Sequence, residues 1–196
     1  MTTTVSGLFD RYDDASEAVS ALEDMGISST DISIVAKDGQ DDRPSDAGEA
    51  AGAGAGVGAT VGGVGGLLTG LGIMAIPGVG PVVAAGWLAA TAAGAVAGAV
   101  VGAAAGGIVG AMTKEGVPED DANIYAEGVR RGGTLVMAKV EDVMAIDAQA
   151  VIEHYKSVDV NERRATYQTE GWTQFDQNAP ALTSAETGSK RNEPLV

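Results

Sequence analysis

IPGVGP (Ile76–Pro81) packs two prolines and two glycines into six residues. Proline lacks the backbone donor and clashes with the preceding turn, so any helix that approaches this stretch ends there. The stretch lies near the middle of 64 residues, Ala50–Thr113, that carry no charged side chain. Before it, GAGVGATVGGVGGLLTG (54–70) has glycine at every fourth position: Gly54, Gly58, Gly62, Gly66 and Gly70. After it, GAVAGAVVGAAAGGIVG (94–110) repeats the pattern at Gly94, Gly98, Gly102, Gly106 and Gly110. Together these pieces predict a helical hairpin over 51–113 that turns at IPGVGP, with each arm longer than the roughly 20 residues needed to cross a bilayer.

Residues four apart lie almost in line on a helix, so each glycine stripe is a groove without side chains where a second helix can approach. Small residues repeated at this spacing let van der Waals and Cα–H···O contacts replace interdigitated side chains. The stripes therefore predict helix packing, first between the two arms, at less than the usual 8–10 Å or so. The larger residues, among them Val57, Val61, Leu67, Leu68, Val96, Val100, Val101 and Ile108, fall on the opposite faces. Left in water, that surface would exceed what a monomer exposes, so lipid or other copies of the chain must cover it.

Outward from the hairpin the pattern changes to that of a folded domain. In 1–38, Val5, Gly7 and Phe9 alternate in a strand, and Ala15, Ala18, Val19 and Leu22 form a helical stripe. Asp13 or Asp14 is placed to cap that helix and Gly26 to end it, before the second strand, DISIVAKD. An acidic linker, 39–50, follows. In 114–172 a helix is expected on the stripe Ala122, Tyr125, Ala126 and Val129, stopped by Gly132, then a strand over 134–140. Another helix follows with Ala148, Val151, Ile152 and Tyr155 facing inward, and VDVNERRATY (158–167) reads as a last strand. The segment 173–196 is polar and aperiodic, which predicts disorder. Neither flank alone has the apolar residues for its own core. The expected fold is thus one α+β domain, a ferredoxin-like sandwich with four strands and helices on one face, split by the hairpin.

Composition narrows the function classes. The 196 residues carry 27 acidic and 12 basic side chains, a formal net charge of −15, which argues against binding nucleic acid. With no cysteine, disulfides, thiol nucleophiles and Cys-ligated zinc are excluded. The N-terminus lacks a basic stretch followed by an apolar one, so the expectation is a chain that starts in the cytoplasm.

Sites for chemistry are sparse. No Gly-x-Gly-x-x-Gly register occurs in the run, and no Gly-Lys-Ser/Thr follows it, so no nucleotide loop is read there. His154, the only histidine, sits beside an apolar stripe and reads as a surface residue. The linker acids Asp38, Asp41, Asp42, Asp46 and Glu49 do not match a calcium-loop spacing. Arg130–Arg131 and Arg163–Arg164 are either an anion site or, as expected, partners of neighbouring carboxylates. No catalytic residue, metal ligand, cofactor or small-molecule ligand is assigned. The residues expected to matter are the ten stripe glycines.

Three stretches, LFDRYDDASEAVSALEDMGI (8–27), GVPEDDANIYAEGVRRGGTLVMAKV (116–140) and SVDVNERRATYQTEGW (157–172), resemble the bacterial general stress protein family, also described as heat-induced stress protein domains. The resemblance implies a stress-associated role, a βαβ-type fold and no known enzymatic activity. It supplies no catalytic residues. Two readings remain. In one, a non-enzymatic stress-associated protein enters or anchors to the cytoplasmic membrane through the hairpin, with both termini in the cytoplasm. The uncharged span and Trp87 near the turn favour it. In the other, a soluble scaffold assembles as its hairpins pack between copies. The small insertion free energy of Gly and Ala and the acidic sign of DDRPSDAGEA (41–50) favour that. Both make the partner another copy of the chain.

Overall fold

A computed structural model describes residues 1–37, 72–88, 107–183 and 186–187. In chain order its elements are β1 (Thr2–Phe9), α1 (Tyr12–Asp24), β2 (Ile32–Lys37), β3 (Gly72–Ile76), β4 (Gly80–Ala85), α2 (Gly107–Lys114), α3 (Glu119–Arg130), β5 (Thr134–Glu141), α4 (Ala145–His154) and α5 (Val160–Thr169). The strands form one sheet in the order β1-β5-β2-β4-β3, antiparallel at every contact. β1 and β2 therefore run parallel to each other with β5 between them. Val5 lies opposite Ala138, and on the other side of β5 Ile34 lies opposite Val136. The mixed α and β composition is as the sequence patterns predict.

Helices cover both faces of this sheet, not one. Val5, Phe9, Ile32, Ile34, Val136 and Ala138 face a core with α1 and α4. Leu8, Val35, Leu135, Met137, Val82 and Ala84 face the opposite core with α2 and α3. The reason lies in the central strands. β5 carries Leu135, Val136, Met137 and Ala138 in succession, all fully buried, the signature of a strand covered on both sides. β2 is buried along its whole length, and its Ser33 hydroxyl is satisfied by accepting from the Leu88 N–H at 2.9 Å.

The first helix starts without a side-chain cap at Arg11; Asp13 and Asp14 lie in its first turn, favourable to the helix dipole, and pair with Arg11 at 3.0 and 3.9 Å. It ends as expected at Gly26, whose N–H reaches the Glu23 carbonyl at 2.8 Å while that of Ile27 reaches Leu22 at 3.2 Å. Gly7 is free of a side chain for packing: a Cβ there would lie 2.3 Å from Ile152 of α4.

Besides the one-faced, four-stranded ferredoxin-like sandwich, which the five-stranded sheet covered on both faces replaces, three expectations are corrected. First, the inner ends of the predicted helical arms are strands, and IPGVGP is the turn of a β-hairpin, β3–β4. The Val79 N–H closes the turn on the Ile76 carbonyl at 3.0 Å, with Pro77 and Gly78 (φ +79°) at its centre. Proline followed by a glycine at positive φ, flanked by β-branched residues such as Val82 and Val83, suits a tight strand turn. The four-residue glycine spacing lapses here, at Met74 and Val82, so nothing compels a helix. Of the remaining predicted hairpin, 51–71 and 89–106 lie outside the described residues, as does the linker 39–50. Secondly, Val158–Tyr167 contributes no fourth strand: α5 occupies most of it. The Asp159 carboxylate caps this helix, accepting from the N–H groups of Asn161 at 2.8 Å and Glu162 at 3.0 Å. Thirdly, the segment after Thr173 does not hang free over its described part: Phe175 is buried in the core beneath α3, and its N–H donates to Asn123 Oδ1 at 3.2 Å.

Gly86 fixes where β4 leaves the sheet. Its φ is +88°, and a Cβ would stand 2.1 Å from the Ile32 carbonyl oxygen. Gly86→Ala is expected to cost at least about 2 kcal/mol, through backbone strain and that collision. Urea unfolding followed by circular dichroism would show an earlier midpoint; an unchanged one would refute the assignment.

Candidate functional site

One arginine from each doublet, Arg131 and Arg163, meets on the ring of Tyr167. α3 carries Glu127, 2% exposed, which accepts from Arg131 Nε at 2.7 Å and from Arg130 Nη1 at 3.3 Å. Arg131 continues to Glu170, just beyond α5, at 2.5 Å, and its guanidinium lies 4.0 Å from the centre of the Tyr167 ring. Arg163, on α5, lies 5.9 Å from the same ring centre and pairs with Asp10 at 2.8 Å. Arg164 pairs with Asp121 at 2.5 Å, and Trp172 meets Tyr167 edge-on at 5.7 Å. The cluster locks α5 against α3 and the end of β1.

Charge balance decides what the cluster can do. Glu127, Glu170, Asp10 and Asp121 offset the four guanidinium groups, which is the carboxylate-partner reading of the arginine doublets. Burial opposes the charge on Arg131, but hydrogen bonds to Glu127 and Glu170 outweigh it and hold the pKa above the ordinary arginine value. Burial raises the Tyr167 pKa, so the ring remains a neutral platform. The arrangement is a cation–π joint between two helices.

Beside it stands a second feature. Lys37, at the end of β2, is 5% exposed. Its ammonium donates to the carbonyl oxygens of Arg130 (3.3 Å) and Leu182 and to Thr187 Oγ1 (2.9 Å). Burial lowers its pKa, the nearby Arg130 charge adds to the effect, and Glu186 opposes it. A buried lysine of this kind is a candidate reactive amine. Here its protons serve as pegs, holding α3 and the chain's C-terminal residues to the sheet.

The other singled-out residues are dispersed. Of the stripe glycines, Gly54, Gly58, Gly62, Gly66, Gly70, Gly94, Gly98, Gly102 and Gly106 lie outside the described residues. Gly110 is half-buried in α2, the short helix that packs on α3. His154 ends α4 on the surface, edge-on to Tyr155 at 5.3 Å. Trp87, read as a membrane-interface residue, is held by the domain itself: its Nε1 donates to the Asp31 carbonyl at 3.0 Å, and Lys139 Nζ lies 4.1 Å from its ring centre. Glu127 and Lys37 were not singled out from the sequence. Their signal was a lone charge within an apolar run, IYAEGV (124–129) and ISIVAK (32–37).

Removing the Glu127 carboxylate leaves two largely buried guanidinium groups short of a partner. Glu127→Ala is expected to cost about 3 kcal/mol, whereas Arg164→Ala, which breaks the more exposed pair, should cost under about 1 kcal/mol. Denaturant titration of the two variants side by side checks the order, and equal losses would contradict it.

Comparisons with curated proteins and with solved structures found no match for the chain. The motifs around α3 and α5 that carry the stress-protein resemblance lie beyond the part of the chain that a family model covers. That part is residues 4–76, from within β1 to the end of β3, which match the family described as the heat induced stress protein YflT domain and so show the expected kinship over that stretch.

Proposed function

We propose that this chain is a non-enzymatic, stress-associated protein that assembles with copies of itself, its Gly/Ala-rich segments packing against protein and not against lipid. The stress association is supported by the family match over residues 4–76. The choice of protein over lipid is supported by one observation, the position of the turn at Pro77–Val79. A hairpin that crosses a membrane carries its turn to the far side, about 30 Å from the domain it leaves. This turn lies instead on the chain's own C-terminal residues: a Cβ on Gly78 would stand 2.6 Å from the Asp176 carbonyl oxygen and 2.7 Å from Gln177 Cα. Among the described residues, no helix is long and apolar enough to cross a membrane.

Action without chemistry fits the charge-balanced arginine joint and a lysine whose protons hold backbone and hydroxyl oxygens. The stripe glycines Gly54–Gly70 and Gly94–Gly110 are, in this reading, the contact between copies, since close helix approach needs such a groove.

Fractionating a native lysate and washing the membranes in alkaline carbonate tests the reading. Recovery in the supernatant as a discrete oligomer is expected, and so is dissociation of that oligomer when Gly98→Leu and Gly102→Leu fill the stripe. Carbonate-resistant membrane retention would return the hairpin to the bilayer, and an oligomer indifferent to both leucines would remove the stripe from the contact.

A further inference from the structure

The stretch Phe175–Thr183 lies along the end of the sheet as a bound peptide would. Its Phe175 ring fills a place in the core that also holds Val79 and Val82, with its tip 2.9 Å from where a Cβ on Gly78 would stand. Its backbone takes most of the polar contacts: the Phe175 N–H donates to Asn123 Oδ1 (3.2 Å), the Pro180 carbonyl accepts from Arg130 Nη2 (3.1 Å), and the Leu182 carbonyl accepts from Lys37 Nζ. Two glycines of the β3–β4 turn leave it room, since a Cβ on Gly78 or Gly80 would stand within 2.7 Å of Gln177 Cα or Ala181 Cβ. Beyond it, Thr183 and Glu186 bond reciprocally, Thr183 N–H to Glu186 Oε2 at 2.8 Å and Glu186 N–H to Thr183 Oγ1 at 3.4 Å, starting a helical turn whose Thr187 also reaches Lys37.

One aromatic anchor plus side chains aimed at an extended backbone is how peptide grooves recognise their ligands. The segment reaches its groove through Thr173 and Gln174, both exposed. Nothing in the fit requires that this link belong to the same molecule, because a second copy presents an identical segment with identical contacts. We propose that the groove formed by Asn123, Arg130, Lys37 and the Gly78–Gly80 turn is a peptide-binding surface whose partner is the Phe175–Thr183 segment of a second copy, so that copies associate by exchanging C-terminal segments. Exchange makes and breaks the same contacts, which makes it an inexpensive route to a dimer. The tethered segment competes at an effective concentration of order millimolar, so exchange gains ground where copies are crowded together. This mode of association is independent of the glycine stripes.

Two full-length variants test it. One has a disabled groove and an intact segment (Lys37→Met with Asn123→Ala); the other has an intact groove and a disabled segment (Phe175→Ala with Thr187→Val). Carrying different tags and mixed, they should form a one-to-one heterodimer at least about tenfold tighter than either variant's self-association, because tethered competition is gone from both sides. Association through glycine stripes would join any two copies alike, so a preference for the complementary pair separates the two modes. A mixture no tighter than its components overturns the proposal. Should either variant fail to fold, a labelled peptide of residues 175–187 added to the wild-type chain gives the answer: half-maximal binding near the millimolar effective concentration of the tethered segment, absent with a scrambled peptide, supports exchange, and binding no greater than that of the scrambled peptide at about tenfold that concentration overturns it.

Discussion

The placement of β5 between β1 and β2 is the constraint on which the rest of the molecule depends. β5 pairs with β1 along its whole length, Thr2 opposite Glu141 to Phe9 opposite Thr134, and with β2 from Ile32 opposite Ala138 to Ala36 opposite Thr134. The strands on either side come from before the Gly/Ala-rich region and β5 from after it, so neither flank has a sheet without the other. Bridging them across a long intervening stretch is cheap, because loop-closure entropy grows only with the logarithm of length, about 0.6 kcal/mol for each doubling. Once β5 is seated, its alternating apolar residues demand cover on both faces, which α1 and α4 provide on one side and α2 and α3 on the other.

Those parts were legible in the sequence because a single period governs each of them. Ala15, Ala18, Val19 and Leu22 are all buried in α1, as the helical spacing demands, and the same holds for Ala122, Tyr125, Ala126 and Val129 in α3. Misreading came where two signals compete. Around Ile76–Pro81 the long uncharged run and the flanking glycine stripes speak for helix, while Pro-Gly between β-branched residues speaks for a strand turn; the local backbone preference prevailed. In α5 the alternation of Val158 and Val160 suggests a strand, yet Asp159 followed three residues later by Glu162 is a helix start, and the cap prevailed. Thr183-x-x-Glu186 is a similar start hidden in a polar segment. Of the site residues, the arginine doublets were visible as doublets. Their convergence on Tyr167 was not, because it depends on how α5 docks.

Electrostatically, the chain keeps part of its small cationic complement inside. Four of its 12 basic side chains, Arg130, Arg131, Arg163 and Arg164, are paired with carboxylates of the same domain, and Lys37 is buried. The acidic excess of the sequence is therefore concentrated in what remains for solvent. Repulsion between such surfaces keeps copies apart at low ionic strength and relaxes as salt screens it, so any contact between copies has to be local and specific.

The β3–β4 hairpin has an asymmetry with a mechanical meaning. At its closed end the turn is pressed against Asp176, Gln177 and Ala181. At its open end Gly72 lies opposite Ala84, so the chain enters β3 and leaves β4 side by side. Tension that draws those two strand ends apart acts along the hydrogen bonds, which run perpendicular to the strands, and so parts them one rung at a time from Gly72 toward Ile76 instead of shearing all five pairs together. The pair thus has a yielding mouth and a clamped tip: β3, the edge strand, can peel away while β4 stays in the sheet, held on its other side by the pairing of Val82–Ala85 with β2.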